Sequence, residues 1–351
     1  MCLSLLAIRT LGYKQFYASL RFFALKSIQI ANTWAMIEWT PKTYIGFAMG
    51  LLCTVALTAC LLTCIAVFNL AIIQRKSPVY VISLANICSD IVWISMYFVF
   101  LVPSIILDGW IWPGKRGELF SNVIGFIINN CWYGTSFLQI LMAVNRMVVI
   151  CFSKTNIFTY KVLRFLAPFL LVPCATIHTF IQQELLPCCR MSLDPSRLGY
   201  GFETLPNVTN YSNVYLAFPT NLITSATAIF CYTVILVYVH RHSAGLQSTN
   251  KKRSELTYAI QFFAISMFHL LAWTSVRFLP SIIQSNIRTG AENFFSISAF
   301  MIILDASSNS YVYLAFNREV RAVLSRRRFF SLRVSTSVNT ITVSQAHSDK
   351  N

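Results

Sequence analysis

The chain has few charged residues for its length. Of its 351 residues, only 11% are Asp, Glu, Lys or Arg, whereas 56% are hydrophobic. A soluble protein of this length cannot bury so much apolar surface, so the shortage of charge excludes an ordinary water-soluble fold. The sequence also lacks a C-x-x-C pair, a His/Cys cluster or a nucleophile–base constellation. We therefore expect no metal site, no cofactor and no enzymatic activity.

Long apolar runs fill the middle of the chain. Each contains the roughly 20 apolar residues that a helix needs to cross the hydrocarbon core of a bilayer. The short alternating segments typical of a membrane β-barrel do not occur. The pattern predicts an all-α membrane protein, a bundle of seven transmembrane helices. The predicted spans are Tyr44–Gln74, Val79–Leu107, Leu119–Phe152, Val162–Leu186, Val214–Val239, Leu256–Ile283 and Phe294–Phe316.

Basic residues are concentrated in alternate loops between these spans. By the positive-inside rule those loops are cytoplasmic, which places the N-terminus outside. We attribute the net charge of +16 to this topology and to contact with anionic inner-leaflet lipid, and we expect no nucleic-acid partner. Two adjacent N-glycosylation sequons, at Asn207 and Asn210, lie in a loop that the charge rule places outside. Cys188 and Cys189 lie in the same loop, where an oxidising environment permits a disulfide.

The ends of the chain differ from the apolar centre. Residues 1–43 are predicted to be an N-terminal extracellular segment, and residues 44–316 the seven-helix domain. The basic, acid-free residues 1–35 leave two further interpretations open, a targeting sequence or an extension of the gene model before Met36. Residues 317–330 are predicted to form a short amphipathic helix on the inner leaflet. Residues 331–351 are rich in Ser and Thr and predict a disordered cytoplasmic tail.

Ionisable residues inside the predicted spans are costly there and usually functional. Asp90 lies in the middle of the second span. Its expected counterpart is Asp305 of the seventh span, with Asn309 one turn further along the same face. A protonated, structurally hydrogen-bonded Asp90 is the alternative. His269 in the sixth span is interpreted as a packed, hydrogen-bonded side chain.

Arg146 lies at the cytoplasmic end of the third span. It either extends to the lipid headgroups or meets Glu255 at the start of the sixth span, as a latch that opens on activation. The basic residues Lys251, Lys252 and Arg253 directly precede Glu255.

These features together resemble the rhodopsin-like class of G-protein-coupled receptors over roughly residues 44–328. Asn145-Arg146-Met147 is similar to the acid–Arg–aromatic motif of that class, and Asn309 to Tyr313 is similar to its seventh-helix Asn-Pro-x-x-Tyr. The resemblance implies that Asp90 is the sodium-site Asp and that Trp273 is the toggle Trp of the sixth helix. Asn145 replaces the acid of the first motif, and Ser310 replaces the proline of the second. No Cys occurs near Ser121, so the usual disulfide from the third helix to the outer loop is in doubt.

At the positions where it departs from the rhodopsin-like pattern, the chain resembles nematode serpentine chemoreceptors of class x. This resemblance rests on Asn145-Arg146, on Glu255 with Gln261, on Cys188-Cys189, and on the stretch from Phe316 to Arg321. It implies a chemosensory receptor in the plasma membrane, for example that of a sensory cilium. The span 7 position of the opsin lysine is Ile303, and the span 3 position of the amine-binding Asp is near Ile128. We therefore expect neither a photoreceptor function nor a biogenic amine as the ligand.

The resemblance implies an extracellular small-molecule or peptide ligand and a heterotrimeric G protein as partners. A neuropeptide-type receptor is the first alternative. A transporter or ligand-gated channel is a weaker one, since no internal repeat is visible. The residues expected to couple to the G protein are Asn145, Arg146, Met147, Lys251, Lys252, Arg253 and Glu255. The residues expected to form an activation relay are Asp90, Trp273, Asp305, Asn309 and Tyr313.

Overall fold

The structure is a computed structural model. It describes residues 40–109, 119–152, 157–194, 198–203, 208–241, 250–286 and 295–325, with the backbone alone for 250–259, 279–286 and 295. The predicted extracellular segment up to residue 39 and the tail predicted for 331–351 lie outside these ranges. The described helices are α1 (Pro41–Ile73), α2 (Val79–Ile106), α3 (Leu119–Cys151), α4 (Tyr160–Leu185), α5 (Ser212–Arg241), α6 (Asn250–Asn286), α7 (Phe295–Phe316) and α8 (Arg318–Ser325). The strands are β1 (Met191–Asp194) and β2 (Gly199–Phe202).

The seven predicted spans correspond to α1 to α7. Six of these helices, α1 to α5 and α7, are long and apolar enough within the described residues to cross a bilayer. The remaining helix, α6, has 37 residues. At the α-helical rise per residue its length is about 55 Å, which is also enough to cross the hydrocarbon core of a bilayer. The predicted ends lie within a few residues of the observed ones. The main difference is α6, which begins at Asn250 rather than Leu256.

Side-chain caps fix the starts of three helices. The Thr40 hydroxyl accepts a hydrogen bond from the Thr43 amide and Pro41 follows in the first turn of α1. Thr159 caps α4 in the same way. The buried Asn317 accepts from the amides of Glu319 at 3.0 Å and Val320 at 3.1 Å, so it ends α7 and starts α8. These caps satisfy amides that have no partner within their own helix.

Wider π-helical turns interrupt several spans. One in α2, from Tyr97 to Leu101, ends two residues before Pro103, and another in α4, from Leu170 to Cys174, contains Pro173. A proline inside a helix lacks the amide for the usual bond and its ring crowds the preceding turn. The wider turn accommodates this defect, so the helix continues across the membrane.

The loop between α4 and α5 contains an antiparallel hairpin that the sequence analysis did not predict. Strands β1 and β2 pair with Met191 opposite Phe202 and Asp194 opposite Gly199. The hairpin lies against α3 at Gly125, where an added Cβ would be 2.7 Å from the Met191 carbonyl oxygen. The Tyr200 hydroxyl donates to the Gly125 carbonyl oxygen at 2.7 Å. Burial raises the pKa of Tyr200 well above its usual value, so this hydroxyl keeps its proton.

Polar side chains line the inside of the bundle, while large apolar side chains point outward. Leu51, Phe165 and Phe230 are strongly exposed, whereas Asp90, Arg146 and Asn309 are buried. This arrangement is stable when lipid surrounds the bundle, because apolar side chains then lose nothing by facing outward.

Candidate functional site

Asp90 and Asn309 form a direct contact between α2 and α7. The Asn309 Nδ2 donates to the Asp90 Oδ2 at 3.1 Å, and both residues are buried. A carboxylate buried in a bundle requires hydrogen-bond partners, since water is largely excluded. The two residues predicted for one relay are therefore in contact.

Asp305 has a different partner from the one expected. It does not pair with Asp90 but with His269 of α6, whose Nδ1 lies 3.1 Å from the Asp305 Oδ2. The reason is the register of α7. Asp305 and Asn309 are one turn apart, about 6 Å along the axis, so the helix presents Asn309 to Asp90 and places Asp305 one turn further along, beside His269. His269 is packed and hydrogen-bonded, as its position in the span predicted.

Trp132 of α3 lies at the junction of the helices around this pair. Its ring packs against the His269 ring at 4.9 Å and edge-on against Trp93 of α2 at 5.2 Å. Its Nε1 donates to the Asn221 Oδ1 of α5 at 3.0 Å. Sequence reasoning missed Trp93, Trp132 and Asn221. One available signal was that Trp132 lies 14 residues before Arg146, about four turns and near the same helix face.

Trp273 does not occupy the centre of the bundle. It is partly buried, and its ring packs between Phe218 of α5 at 6.1 Å and Phe278 at 6.4 Å. The central position on α6 belongs to His269, one turn earlier, which contacts both α3 and α7. The role of Trp273 as the toggle Trp therefore stays a prediction, and His269 is a second candidate on the same helix.

Tyr313 connects α7 to α2 at the other end of the relay. Its hydroxyl is hydrogen-bonded to the Ser83 hydroxyl, and its ring lies 6.4 Å from the Tyr80 ring. Tyr80 in turn donates to the Glu319 Oε2 at 2.7 Å and accepts from the Asn317 Nδ2 at 3.2 Å. A chain of polar contacts thus extends from α2 through α7 to α8.

A salt bridge reinforces these polar contacts at α8. The Lys76 Nζ lies 2.9 Å from the Glu319 Oε1, which joins α8 to the residues between α1 and α2. The sequence analysis predicted the α8 helix but none of its contacts.

Arg146 is 2% exposed, so its side chain does not extend to the headgroups. Its guanidinium carbon lies 5.0 Å from the centre of the Phe262 ring of α6. Asn145 is buried and Met147 is partly buried.

The other predicted coupling residues, Lys251, Lys252, Arg253 and Glu255, belong to α6. Their side chains lie outside the described part of the chain, and so does the expected contact of Glu255 with Arg146.

The comparisons with known proteins agree with this architecture. The family model of the serpentine type 7TM GPCR chemoreceptor Srx matches residues 59–317. The chain belongs to this family. The fold is similar to that of squid rhodopsin, with a TM-score of 0.66 and 14% sequence identity over 82% of this chain and 86% of that chain. At this identity the likeness shows the fold alone. A search of curated proteins found no match.

The predicted receptor class, the seven-transmembrane fold and the chemoreceptor family are therefore confirmed. The protein is a multi-pass membrane receptor of the G-protein-coupled class. Its family is one of receptors, not of enzymes.

In this Srx-family receptor, local contacts close the loop between α4 and α5. Cys188 and Cys189 form a disulfide with each other. The Ser212 hydroxyl at the start of α5 donates to the Cys188 carbonyl oxygen at 2.9 Å and to the Gln182 carbonyl oxygen at 3.1 Å. Asn210, one of the two sequon residues, accepts from the Asn213 amide at 2.9 Å. Asn207 lies outside the described residues.

Proposed function

We propose that this receptor binds an extracellular small molecule or peptide and in response activates a heterotrimeric G protein. The observation that carries the proposal is the series of buried contacts through the bundle, formed by His269 with Asp305, Asp90 with Asn309, Tyr313 with Ser83, and Arg146 with Phe262. These contacts join α2, α3, α6 and α7. Movement of one helix requires only some of these contacts to break or form.

The relay works as a two-state element. Each buried polar contact is strong because the interior has a low dielectric, and each is costly to leave unmade. Small shifts of α6 or α7 therefore do not stretch the contacts gradually but exchange one complete set for another. A ligand shifts the equilibrium only by its differential affinity for the two states.

The ligand binds among the outer halves of the helices, above Trp132 and His269. Trp132 is suited to transmit occupancy, since it contacts α2, α5 and α6. Ile303 and Ile128, at the positions of the opsin lysine and the amine-binding acid, are buried apolar residues. The proposal therefore favours ligands other than retinal and biogenic amines, and includes odorants and neuropeptides.

Arg146 contacts the G protein or stabilises the open state. Asn145, Met147, Lys251, Lys252, Arg253 and Glu255 add contacts on the same face. In this proposal residues 44–316 are the signalling domain in the plasma membrane, with the N-terminus outside and α8 on the inner leaflet.

The test is heterologous expression with a promiscuous G protein and a chemically diverse ligand panel. We expect Arg146→Ala to abolish the ligand-evoked signal at unchanged surface expression, because the cation that engages the G protein is lost. Arg164→Ala is the matched control, since Arg164 is exposed on α4 and outside the relay. Ligand-evoked signalling that survives Arg146→Ala would refute the role of Arg146. A ligand-evoked current that persists under G-protein blockade would refute the coupling itself.

A further inference from the structure

The residue before Arg146 cannot neutralise it. Asn145 offers hydrogen bonds but no negative charge, and Arg146 is 2% exposed. A guanidinium buried this deeply is stable only where other groups compensate for its lost hydration. Rhodopsin-like receptors, which this chain resembles, carry an acidic residue at the position of Asn145. That acid is absent here, so part of the compensation has to come from other helices.

Phe262 of α6 provides an aromatic face for the guanidinium. The distance of 5.0 Å from the guanidinium carbon to the ring centre is within the cation–π range of about 6 Å. Phe262 is 1% exposed. Cation–π attraction is strongest in such desolvated sites, and Arg is the cation most often found in them.

The same ring is held from a second side by α7. The Tyr313 ring meets the Phe262 ring nearly perpendicularly, at 77° and 6.2 Å between centres, which is a favoured aromatic arrangement. Tyr313 itself is tied to Ser83 of α2. The position of Phe262 therefore depends on α2 and α7, and the position of Arg146 depends on Phe262.

We propose that Phe262 is a positioning residue for Arg146, an aromatic latch that holds the guanidinium between α3 and α6 in the ligand-free receptor. The inference rests on the proposed function of Arg146 in G-protein coupling. Movement of α6 away from α3 separates the ring from the cation and from Tyr313 in one step. Release of Arg146 is thereby coupled to the relay in α7.

The sharpest test replaces Phe262 with phenylalanine analogues that carry one to three ring fluorines. Fluorination reduces the negative charge on the ring face while the ring keeps nearly the same size, so folding is preserved and the cation–π attraction falls. The first readout is ligand-free nucleotide exchange on the G protein per surface receptor. We expect it to rise with each fluorine, and by about tenfold for Phe262→Leu, the shift that loss of one desolvated cation–π contact gives.

The controls separate the latch from simple packing. Phe263→Leu alters the next aromatic residue, which packs edge-on against Tyr232 at 5.7 Å and is 37% exposed, and it should leave basal exchange unchanged. Phe262→Trp restores an aromatic face and should return basal exchange towards the wild-type value. Equal effects of Phe262→Leu and Phe263→Leu, or no trend along the fluorine series, would overturn the latch.

A second readout does not require a G protein. An environment-sensitive fluorescent amino acid in place of Thr257, at the inner end of α6, reports movement of that helix in the purified receptor. We expect its emission in the ligand-free state to shift along the fluorine series. Shifted emission with no nucleotide exchange in any variant would refute the proposed coupling and leave the latch standing. Unshifted emission in a receptor that couples normally would refute the latch alone.

Discussion

The two buried carboxylates, Asp90 and Asp305, make unlike contacts although both lie inside the bundle. Asp90 accepts a hydrogen bond from a neutral amide, whereas Asp305 faces the imidazole of His269. The Asp305–His269 contact joins α7 to α6, the helix that the proposed latch also involves. Removing one partner of a buried pair leaves the other in a low-dielectric site without compensation.

Asp305→Ala should therefore lower the stability of the solubilised receptor by about 1–3 kcal/mol, the cost of leaving a buried polar group without its hydrogen-bond partner. His269→Ala should have a comparable effect, and the double variant should lose less than the sum of the two. The measurement is the thermal unfolding transition of the receptor in detergent. Asp108→Asn is the control, because Asp108 pairs with the Lys42 side chain at an exposed site and Asn tolerates the left-handed backbone that Asp108 adopts. This control should change the stability by less than about 1 kcal/mol. Equal losses for Asp305→Ala and Asp108→Asn would show that the buried pair contributes no more than an exposed one.

Sequence reasoning found the charged members of the site and Tyr313, but it missed Phe262 and Trp132. Asp90, Arg146 and Asp305 were recognisable because a charge inside an apolar span is rare and costly. Phe262 and Trp132 are as central in the structure, but 14% of the chain is aromatic, and one apolar ring looks like another along a span. Their role depends on which helix faces they meet, which a span pattern does not contain.

At the scale of elements, the hairpin β1–β2 attaches the loop between α4 and α5 to α3 by hydrogen bonding and close packing. Tyr200 donates to Gly125, and Met191 approaches the same glycine closely. The spans were predicted well because each must satisfy its own backbone in lipid, which leaves a strong pattern in the sequence. The hairpin was not predicted, since four-residue strands in a loop leave almost none.

Gly125→Ala should displace this hairpin. The added Cβ would lie 2.7 Å from the Met191 carbonyl oxygen, a backbone atom that cannot rotate away. We expect a loss of about 1–3 kcal/mol in stability, typical of overpacking, and faster hydrogen exchange over residues 191–202. Gly201→Ala is the matched control, since a Cβ there meets no atom within 4 Å. An unchanged exchange rate in Gly125→Ala would contradict the close packing of β1 on α3.

At the scale of the whole molecule, charge and glycosylation signals predict the same orientation independently. Basic residues begin α4 at Lys161 and end α5 at Arg241, and both belong to the predicted inner side. Lys42 at the start of α1 and the two sequons belong to the opposite side. Transport of Lys and Arg across the membrane is disfavoured, so this asymmetry orients the bundle.

This orientation predicts that the loop between α4 and α5 carries N-linked glycan. Glycosidase treatment should increase the electrophoretic mobility of the receptor, and Asn207→Gln combined with Asn210→Gln should abolish the change. Asn213→Gln is the control, because Asn213 does not begin a sequon. In intact cells, a membrane-impermeant amine reagent should modify Lys42 and spare Lys161. The opposite labelling pattern would show that the bundle is inverted, with the coupling residue Arg146 on the outer side, where no G protein could reach it.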